Sequence, residues 1–349
     1  MIKRDKSLDL VRCVACILIV VFHFEIDGRP LVSHIESSSV DLGMIAVGAF
    51  FILSGASLYI STSKQSHFKI GNYIYKRFLA IYPAFWVAYI IVFLYMFWKN
   101  GGIPQDVPKV NILLSVFGMD GMFAYKIPTF YMVGEWYVGT IVIVYCFFPI
   151  LKWLIDKIPK IAWAIILVVF LIFVFTYSGE MMFLRHPVFQ IVEVAFGIYY
   201  AKYVVLNENR NTTWRNNKPR IIAFVISIAV IVTFVLVKVD GIVGLSLVVN
   251  LVAISTFYFI AQLTFIMKNM AVDKVVTTIS KYSYCIFLIH HVVINEVSAR
   301  FDNAELSNAD YLTAVVLCVV LIAVFAFIVK YLSGKLIGLI KMIPKRAEA

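Results

Sequence analysis

Apolar residues run through this sequence in long blocks, and the polar residues between the blocks come in short clusters. A helix rises 1.5 Å per residue, so a block of about 20 apolar residues crosses a hydrocarbon layer of about 30 Å. The blocks predict about ten spans, at roughly 10–27, 41–61, 73–98, 133–155, 161–178, 187–206, 220–238, 242–267, 278–297 and 310–335. Each must be helical, because backbone in lipid has to satisfy its own hydrogen bonds. The pattern therefore predicts an all-α fold: a polytopic membrane helix bundle in which residues 1–349 form a single integral membrane domain. The least regular stretch is 100–132. Pro104, Pro108, Gly118, Gly121 and Pro128 interrupt it, yet Ile112 through Phe117 are nearly all apolar. It reads as a re-entrant or interfacial piece on the outer side.

The first block follows Met1-Ile2-Lys3-Arg4 and ends at Val20-Val21-Phe22-His23-Phe24-Glu25, with no small-x-small cleavage site. It is expected to be an uncleaved first span rather than a secretory signal. Composition agrees with the pattern. The chain has 349 residues, 62% hydrophobic and only 15% charged, with a mean hydropathy of +0.91. A soluble domain carries about 25% charged residues. The five cysteines (Cys13, Cys16, Cys146, Cys285 and Cys318) lie inside apolar blocks and are expected to be small buried hydrophobes, not a disulfide framework or metal site.

Net charge is +11, and its distribution gives the topology. With ten spans, about 23 Lys and Arg fall on one set of alternating loops and about 7 on the other, so both termini should be cytoplasmic. The basic excess is thereby accounted for, and no nucleic-acid partner is implied.

Ionisable residues inside a bilayer cost several kcal/mol and are usually paired or functional. Arg12 and His23 share the first span. Eleven helical steps return to within about 20° of the same face and rise about 16 Å. Arg12 alone also fits a residue snorkelling to the interface, and His23 alone fits a hydrogen-bonded interior histidine. On one face they suggest an anion-binding end and a proton-handling end. A second group is His290-His291, about nine residues into the ninth span. Adjacent residues point to different faces, so one of the pair is expected to reach a shared site, and His290 is preferred. A third is Gly134-Glu135-Trp136-Tyr137 at the outer start of the fourth span, which also fits an aromatic belt with a solvated carboxylate. Glu193 sits inside the sixth span, where a structural pair and a catalytic role are both open. Ser54-Gly55 and Tyr82-Pro83 read as close packing and a kink.

Taken together, these segments resemble the acyltransferase-3 membrane family. Arg12 to His23 resembles its R-x10-H helix, and Phe50-Phe51-Ile52-Leu53-Ser54-Gly55 its FF-x-x-SG segment. Lys76-Arg77-Phe78-Leu79-Ala80-Ile81-Tyr82-Pro83 is similar to its basic RxxR-I-Y-P segment, and Trp136 with Phe148-Pro149 to its W…P frame. Ser283-Tyr284 through His290 is similar to the late S-x-x-x-Y-L-x-H segment. The resemblance implies transfer of an acyl group, commonly acetyl from acetyl-CoA, to a hydroxyl of a cell-surface polysaccharide or lipid-linked glycan. It also implies an integral, multi-pass protein of the bacterial cytoplasmic membrane. His23 would be the catalytic base, with His290 the late-segment histidine. Arg12, Arg77 and Lys76 would hold the phosphates of the acyl-CoA donor. Glu25, Glu135, Trp136, Glu193, Ser54 and His291 are supporting candidates, and which carboxylate orients His23 stays open. No metal and no resident cofactor are expected, acetyl-CoA being a substrate. The expected partners are acyl-CoA, a carbohydrate acceptor and the lipid bilayer.

Two departures stand out. Ala80 occupies the position of the second arginine in the basic segment, and Ile141 and Val142 stand where members with an attached extracytoplasmic domain carry acidic residues. The chain therefore looks like the shorter, stand-alone branch. Intramembrane Arg, His and Glu also suit a proton-coupled secondary transporter or lipid-linked sugar flippase. Against that, no internal repeat and no matched pair of Gly/Pro-broken helices is visible.

Overall fold

A computed structural model describes residues 5–26, 29–32, 40–63, 68–131, 133–206, 218–264, 270–301 and 306–347. In chain order it contains α1 (Lys6–His23), a two-stranded hairpin of β1 (Glu25–Ile26) and β2 (Arg29–Pro30), α2 (Leu42–Ser63) and α3 (Ile70–Lys99). The short helices α4 (Ile112–Phe117) and α5 (Asp120–Phe123) follow, then α6 (Glu135–Lys157), α7 (Pro159–Thr176) and α8 (Pro187–Tyr200). Last come α9 (Lys218–Leu236), α10 (Ile242–Leu263), α11 (Met270–Ser298) and α12 (Asn308–Ala347).

The long helices stand where the apolar blocks predict them, and the protein is an all-α polytopic bundle. Among the described residues, 8 helices are long and apolar enough to cross a membrane. The other two expected spans are α1 and α11, which carry Arg12 and His23, and His290 and His291. Arg12, His23, His290 and His291 are among the polar residues that lower the apolarity of these two helices. α12 continues past its expected end to Ala347 and is 40 residues long. That is about 60 Å, twice the hydrocarbon thickness.

The chain folds into two compact units. One comprises Met1–Phe22, Leu31–His67 and Ile143–Lys281; the other comprises His23–Pro30, Phe68–Val142 and Tyr282–Ala349.

In the first unit the tightest packing is between α2 and α8. A Cβ on Gly55 would lie 2.1 Å from the Val194 carbonyl oxygen, and one on Gly197 would lie 2.0 Å from that of Ile52. Small residues permit this backbone approach, and the apolar sequence alone does not supply it. Gly55→Ala is therefore expected to lower stability by about 2–3 kcal/mol through overpacking. Gly338→Ala, on the open surface of α12 with nothing within 4 Å of the new Cβ, should leave the melting temperature unchanged or raise it. Thermal unfolding of the two variants in one detergent checks this, and equal melting temperatures would refute it. α9 lies at the other extreme, with 11% of its apolar window buried. Ile222, Val225, Ile226 and Val232 are exposed on it, as a lipid-facing helix requires.

Four of the cysteines are buried, as expected; Cys146 is exposed beside exposed Phe147 on α6. All five are free thiols, including Cys13 and Cys16, one turn apart on α1.

In the second unit α3 packs along α12, and its C-terminal end is tied to α11. Tyr95 and Lys99 both donate to the Glu296 carboxylate, at 2.7 and 2.6 Å. Residues 100–131 fold back along α3. Tyr82 Oη, Trp86 Nε1 and Tyr89 Oη, successive turns of one α3 face, donate to Phe117 O (3.2 Å), Val116 O (2.8 Å) and Ser115 Oγ (2.8 Å). Tyr82 is 17 residues before Lys99, so the α4–α5 turn lies about 25 Å below the end of α3. The segment runs back along α3, as a re-entrant piece would. Irregular backbone at that depth needs protein partners for its carbonyls, and the aromatic side chains of α3 supply them. Gly118 ends α4 with φ +69°, a conformation that favours glycine.

Candidate active site

The N-terminal end of α1 builds the first cluster, in the first unit. Asp5 caps the helix, its Oδ1 accepting from the Ser7 and Leu8 amides at 2.9 and 3.2 Å. Asp9 and Arg12 follow, three residues apart on one face. Asp9 is buried, and it accepts from Ser280 Oγ at 2.7 Å and from Arg12 Nη1 at 3.4 Å. Arg12 also donates from Nη1 to Ser280 Oγ and from Nη2 to Ser57 Oγ, both at 3.2 Å. The guanidinium is thus held by groups from α1, α2 and α11, with its side chain 27% exposed. It is a fixed, part-exposed cation, and not a side chain reaching freely for the interface. Asp9, Ser57 and Ser280 were not picked out from the sequence. Asp9 carried a signal in its i,i+3 spacing to Arg12; the serines carried none.

The second cluster, in the second unit, is formed by histidines. The His23 ring centroid is 5.2 Å from that of His290 and 4.8 Å from that of His291. Both adjacent histidines therefore approach His23, whereas their helical spacing suggested that one would. Two residues 100° apart straddle a ring that faces the groove between them. His290 is buried, and its Nδ1 faces the carbonyl oxygens of Phe287 at 2.8 Å and Ile286 at 3.3 Å. A ring nitrogen against two carbonyls must donate, so Nδ1 carries the proton and Nε2 is left as an acceptor. That buried Nε2 has no hydrogen-bond partner among the described residues. Phe287 separates His290 from Tyr137, with ring centroids 5.7 and 4.9 Å away. Among the described residues no three His, Cys, Asp or Glu groups are placed to hold a metal.

The remaining candidates are dispersed. Glu25 is exposed on β1, and no hydrogen bond or ion pair joins it to His23 among the described residues. Trp136 is half-buried in the first turn of α6. Glu135 begins that helix, and its side chain lies outside the described residues. On α3, Lys76 is exposed and Arg77 half-buried, its guanidinium carbon 6.0 Å from the centre of the Tyr73 ring. Ser54 accepts from Tyr145 Oη at 3.5 Å.

Glu193 belongs to the first unit. The α8 start is set by Pro187 at its first position and by His186, whose Nδ1 accepts from the Val188 amide at 3.3 Å. Burial holds the His186 imidazole below its ordinary value, which keeps that acceptor neutral. Two turns on, Glu193 is 1% exposed, and its Oε2 has no partner among the described residues. Gly48 makes room for it: a Cβ there would lie 2.5 Å from Glu193 Oε1. Along α2, Gly48 and Ser57 are nine residues apart, about 14 Å, so Glu193 is not part of the Arg12 cluster.

The family described as an acyltransferase domain, acyltransferase-3, has a model that matches residues 5–331. No curated protein and no solved structure matches the chain. The matched stretch begins at the Asp5 cap, takes in both clusters and ends within α12. With nearly the whole chain covered, the protein belongs to the acyltransferase-3 family of integral membrane acyltransferases.

Proposed function

We propose that the protein moves an acetyl group from acetyl-CoA to a hydroxyl of a cell-surface polysaccharide or lipid-linked glycan, across the bacterial cytoplasmic membrane. The observation that carries this reading is the His23 cluster: an imidazole beside a second, neutral imidazole whose buried Nε2 has no donor among the described residues. A hydroxyl acceptor brings that donor. In the reaction His23 takes the hydroxyl proton as the oxygen attacks the thioester carbonyl. The tetrahedral adduct then expels the thiolate, which takes the proton back from the imidazolium and leaves as the free thiol of coenzyme A. No net proton is released. His290 orients the reacting hydroxyl or the His23 ring through Nε2, and His291 flanks the same ring.

Arg12 binds donor phosphate, with Asp9 and the two serines holding its fork in place. Arg77 and Lys76 add positive charge on α3. Arg12→Ala is expected to raise KM for acyl-CoA about tenfold, more than KM for the acceptor, since a charged hydrogen bond contributes about 1.5–3 kcal/mol. Arg12→Lys should recover part of this, because an ammonium lacks the bidentate fork. Steady-state kinetics on purified protein decide it; an unchanged acyl-CoA KM in a folded Arg12→Ala protein would make the residue structural.

The buried Glu193 carboxyl, whose Oε2 has no partner among the described residues, favours one other reading, a proton-coupled carrier. Incubation of purified protein in nanodiscs with acetyl-CoA and a glycan acceptor separates the two. Free thiol and acetylated acceptor should appear in equal amounts, and the acetyl content of surface glycan should fall in cells lacking the protein. No thiol release with any hydroxyl acceptor, together with unchanged glycan acetylation, would exclude the transferase reading.

A further inference from the structure

On the lipid-facing side of the second unit, α3, α4 and α12 leave an open cavity of about 410 Å³ between them. α3 lines it with Trp86, Tyr89 and Ile90, α4 with Ser115 and Val116, and α12 with Leu336. Ile90 and Val116 are 56% and 42% exposed, so the cavity opens on the outer surface of the helices, where hydrocarbon is the solvent. Its polar side chains already have partners in the protein. Tyr89 Oη donates to Ser115 Oγ at 2.8 Å, Ser115 Oγ donates to Asp120 Oδ1 at 3.1 Å, and Trp86 Nε1 donates to the Val116 carbonyl at 2.8 Å. The wall that remains is carbon. Water needs about two to four polar partners and does not fill such a cavity; an apolar hole of about 150 Å³ already stays dry and takes up benzene. This one has room for a longer apolar group that carries no polar atom along its length.

The cavity also lies beside the reacting histidines, in the same unit. Two hydrogen bonds tie α3 to α11: Tyr284 Oη donates to the Ile81 carbonyl at 3.4 Å, and Tyr95 Oη to Glu296 at 2.7 Å. The earlier residues of the two helices meet each other, and so do the later ones, so the helices run the same way. Tyr89 is six residues before Tyr95, and His290 is six before Glu296, which puts both about 9 Å below the Tyr95–Glu296 bond. The cavity is therefore level with the His23–His290 pair. The layer between them is thin. A Cβ on Gly118, just past the end of α4, would lie 2.8 Å from Val138 Cγ1. One on Gly134 would lie 2.5 Å from Val138 Cγ2 and 2.8 Å from Leu288 Cδ2. Val138 thus joins the end of α4 to the helix that carries His290.

We propose that this cavity holds the hydrocarbon tail of a lipid-linked glycan, the acceptor whose sugar hydroxyl reaches His23. The inference rests on the hydroxyl-acceptor reading above and narrows it. A free polysaccharide has no chain to place in an apolar cavity at the depth of the histidines, whereas an acceptor anchored in the bilayer has. Tail and reacting hydroxyl are then held by one compact unit. The fixed side chains of Trp86, Ile90 and Val116 pack against a chain more densely than mobile lipid does, and that difference in dispersion contacts is what favours the carrier's tail there.

The test uses the full-length protein in nanodiscs of phosphatidylcholine, with a long-chain polyprenyl phosphate as the binding probe and phosphatidylglycerol as its competitor. Wild-type protein should retain the polyprenyl phosphate in preference to phosphatidylglycerol. Val116→Trp and Ile90→Trp each bring an indole into the cavity from an exposed position, and each should weaken retention about tenfold by overpacking. Ile226→Trp, on the exposed face of α9, should not weaken it. Acetyl transfer is then measured to two extracts of the cells that make the protein, organic-soluble lipid-linked glycan and water-soluble polysaccharide. Acetyl should enter the lipid-linked fraction, with a KM about tenfold higher for Val116→Trp than for wild type. Melting temperatures show that the variants are folded. Equal retention of the two lipids would overturn the proposal, since bulk lipid would then fill the cavity. So would unchanged retention in folded Val116→Trp and Ile90→Trp proteins, or acetylation of the water-soluble fraction alone. Retention that depends on Val116 in a protein that acetylates neither fraction would refute the hydroxyl-acceptor reading and keep the lipid-tail site.

Discussion

Purified His23→Ala protein is expected to show no measurable acyl transfer while remaining folded and monodisperse. His23 closes α1, where the helix ends and the chain turns into the β1–β2 hairpin. It is half-buried, and its neighbours include two other imidazoles at 5.2 and 4.8 Å between ring centroids. Removing a side chain at a helix terminus opens little space in the core, so the stability cost should be small. Removing a general base costs about 10²–10⁴ in rate. An alcohol is a poor nucleophile until its proton is taken, which puts the expected loss near the upper end. His23→Gln, which keeps hydrogen-bonding capacity but cannot accept a proton at neutral pH, should be as inactive as alanine. Thiol release from acetyl-CoA measures the loss, and the melting temperature and elution volume measure the fold. Wild-type turnover in a folded His23→Ala protein would remove His23 from the chemistry.

Much of the fold is legible in the sequence because lipid leaves few choices. Runs such as Ile161 through Thr176 can be little else than spans, and they stand where expected. α1 and α11 were also identified as spans, although Asp9, Arg12, Lys274, Lys281 and Glu296 make them too polar to qualify by apolarity alone. Asp9 and Arg12 are the trace of the first cluster. The path of 100–131 along α3 was half legible. Its prolines and glycines exclude a spanning helix, but its depth depends on three α3 side chains, Tyr82, Trp86 and Tyr89, and in sequence these look like ordinary aromatic lining. The α2–α8 contact was visible only as the close packing expected at Gly55, with nothing to pair that residue with Gly197.

The candidate site was legible where ionisable residues stand out against an apolar background. Arg12, His23, His290 and Glu193 are of that kind. The groups that hold them are not, because a serine inside a membrane helix usually bonds its own helix, as Ser227 and Ser246 do here. Nothing in the local sequence distinguishes Ser57 and Ser280, which reach Arg12.

His290→Ala is expected to lower kcat/KM about 100-fold, and His291→Ala no more than about fivefold, an acceptor hydrogen bond in a dry site contributing about 2–3 kcal/mol to a charged transition state. The two residues are adjacent on α11 and both rings approach His23, so proximity does not rank them. Burial and hydrogen bonding do. His290 is 2% exposed, its Nδ1–H is committed to the Phe287 carbonyl at 2.8 Å, and its Nε2 is a fixed, neutral acceptor. His291 is half-buried, so its ring is the more open to solvent of the two. Two further variants separate acceptor strength from packing. Asparagine places its amide near the position of Nδ1 and offers nothing at Nε2, so His290→Asn should be folded and as impaired as alanine. Glutamine places an oxygen near the position of Nε2, so His290→Gln should recover part of the activity. A structural role, in which Nδ1 matters because it ties the side chain to Phe287, predicts the reverse order. Kinetics of the four proteins, with melting temperatures alongside, decide between these. Asparagine outperforming glutamine, or equal losses at 290 and 291, would take the acceptor role away from His290.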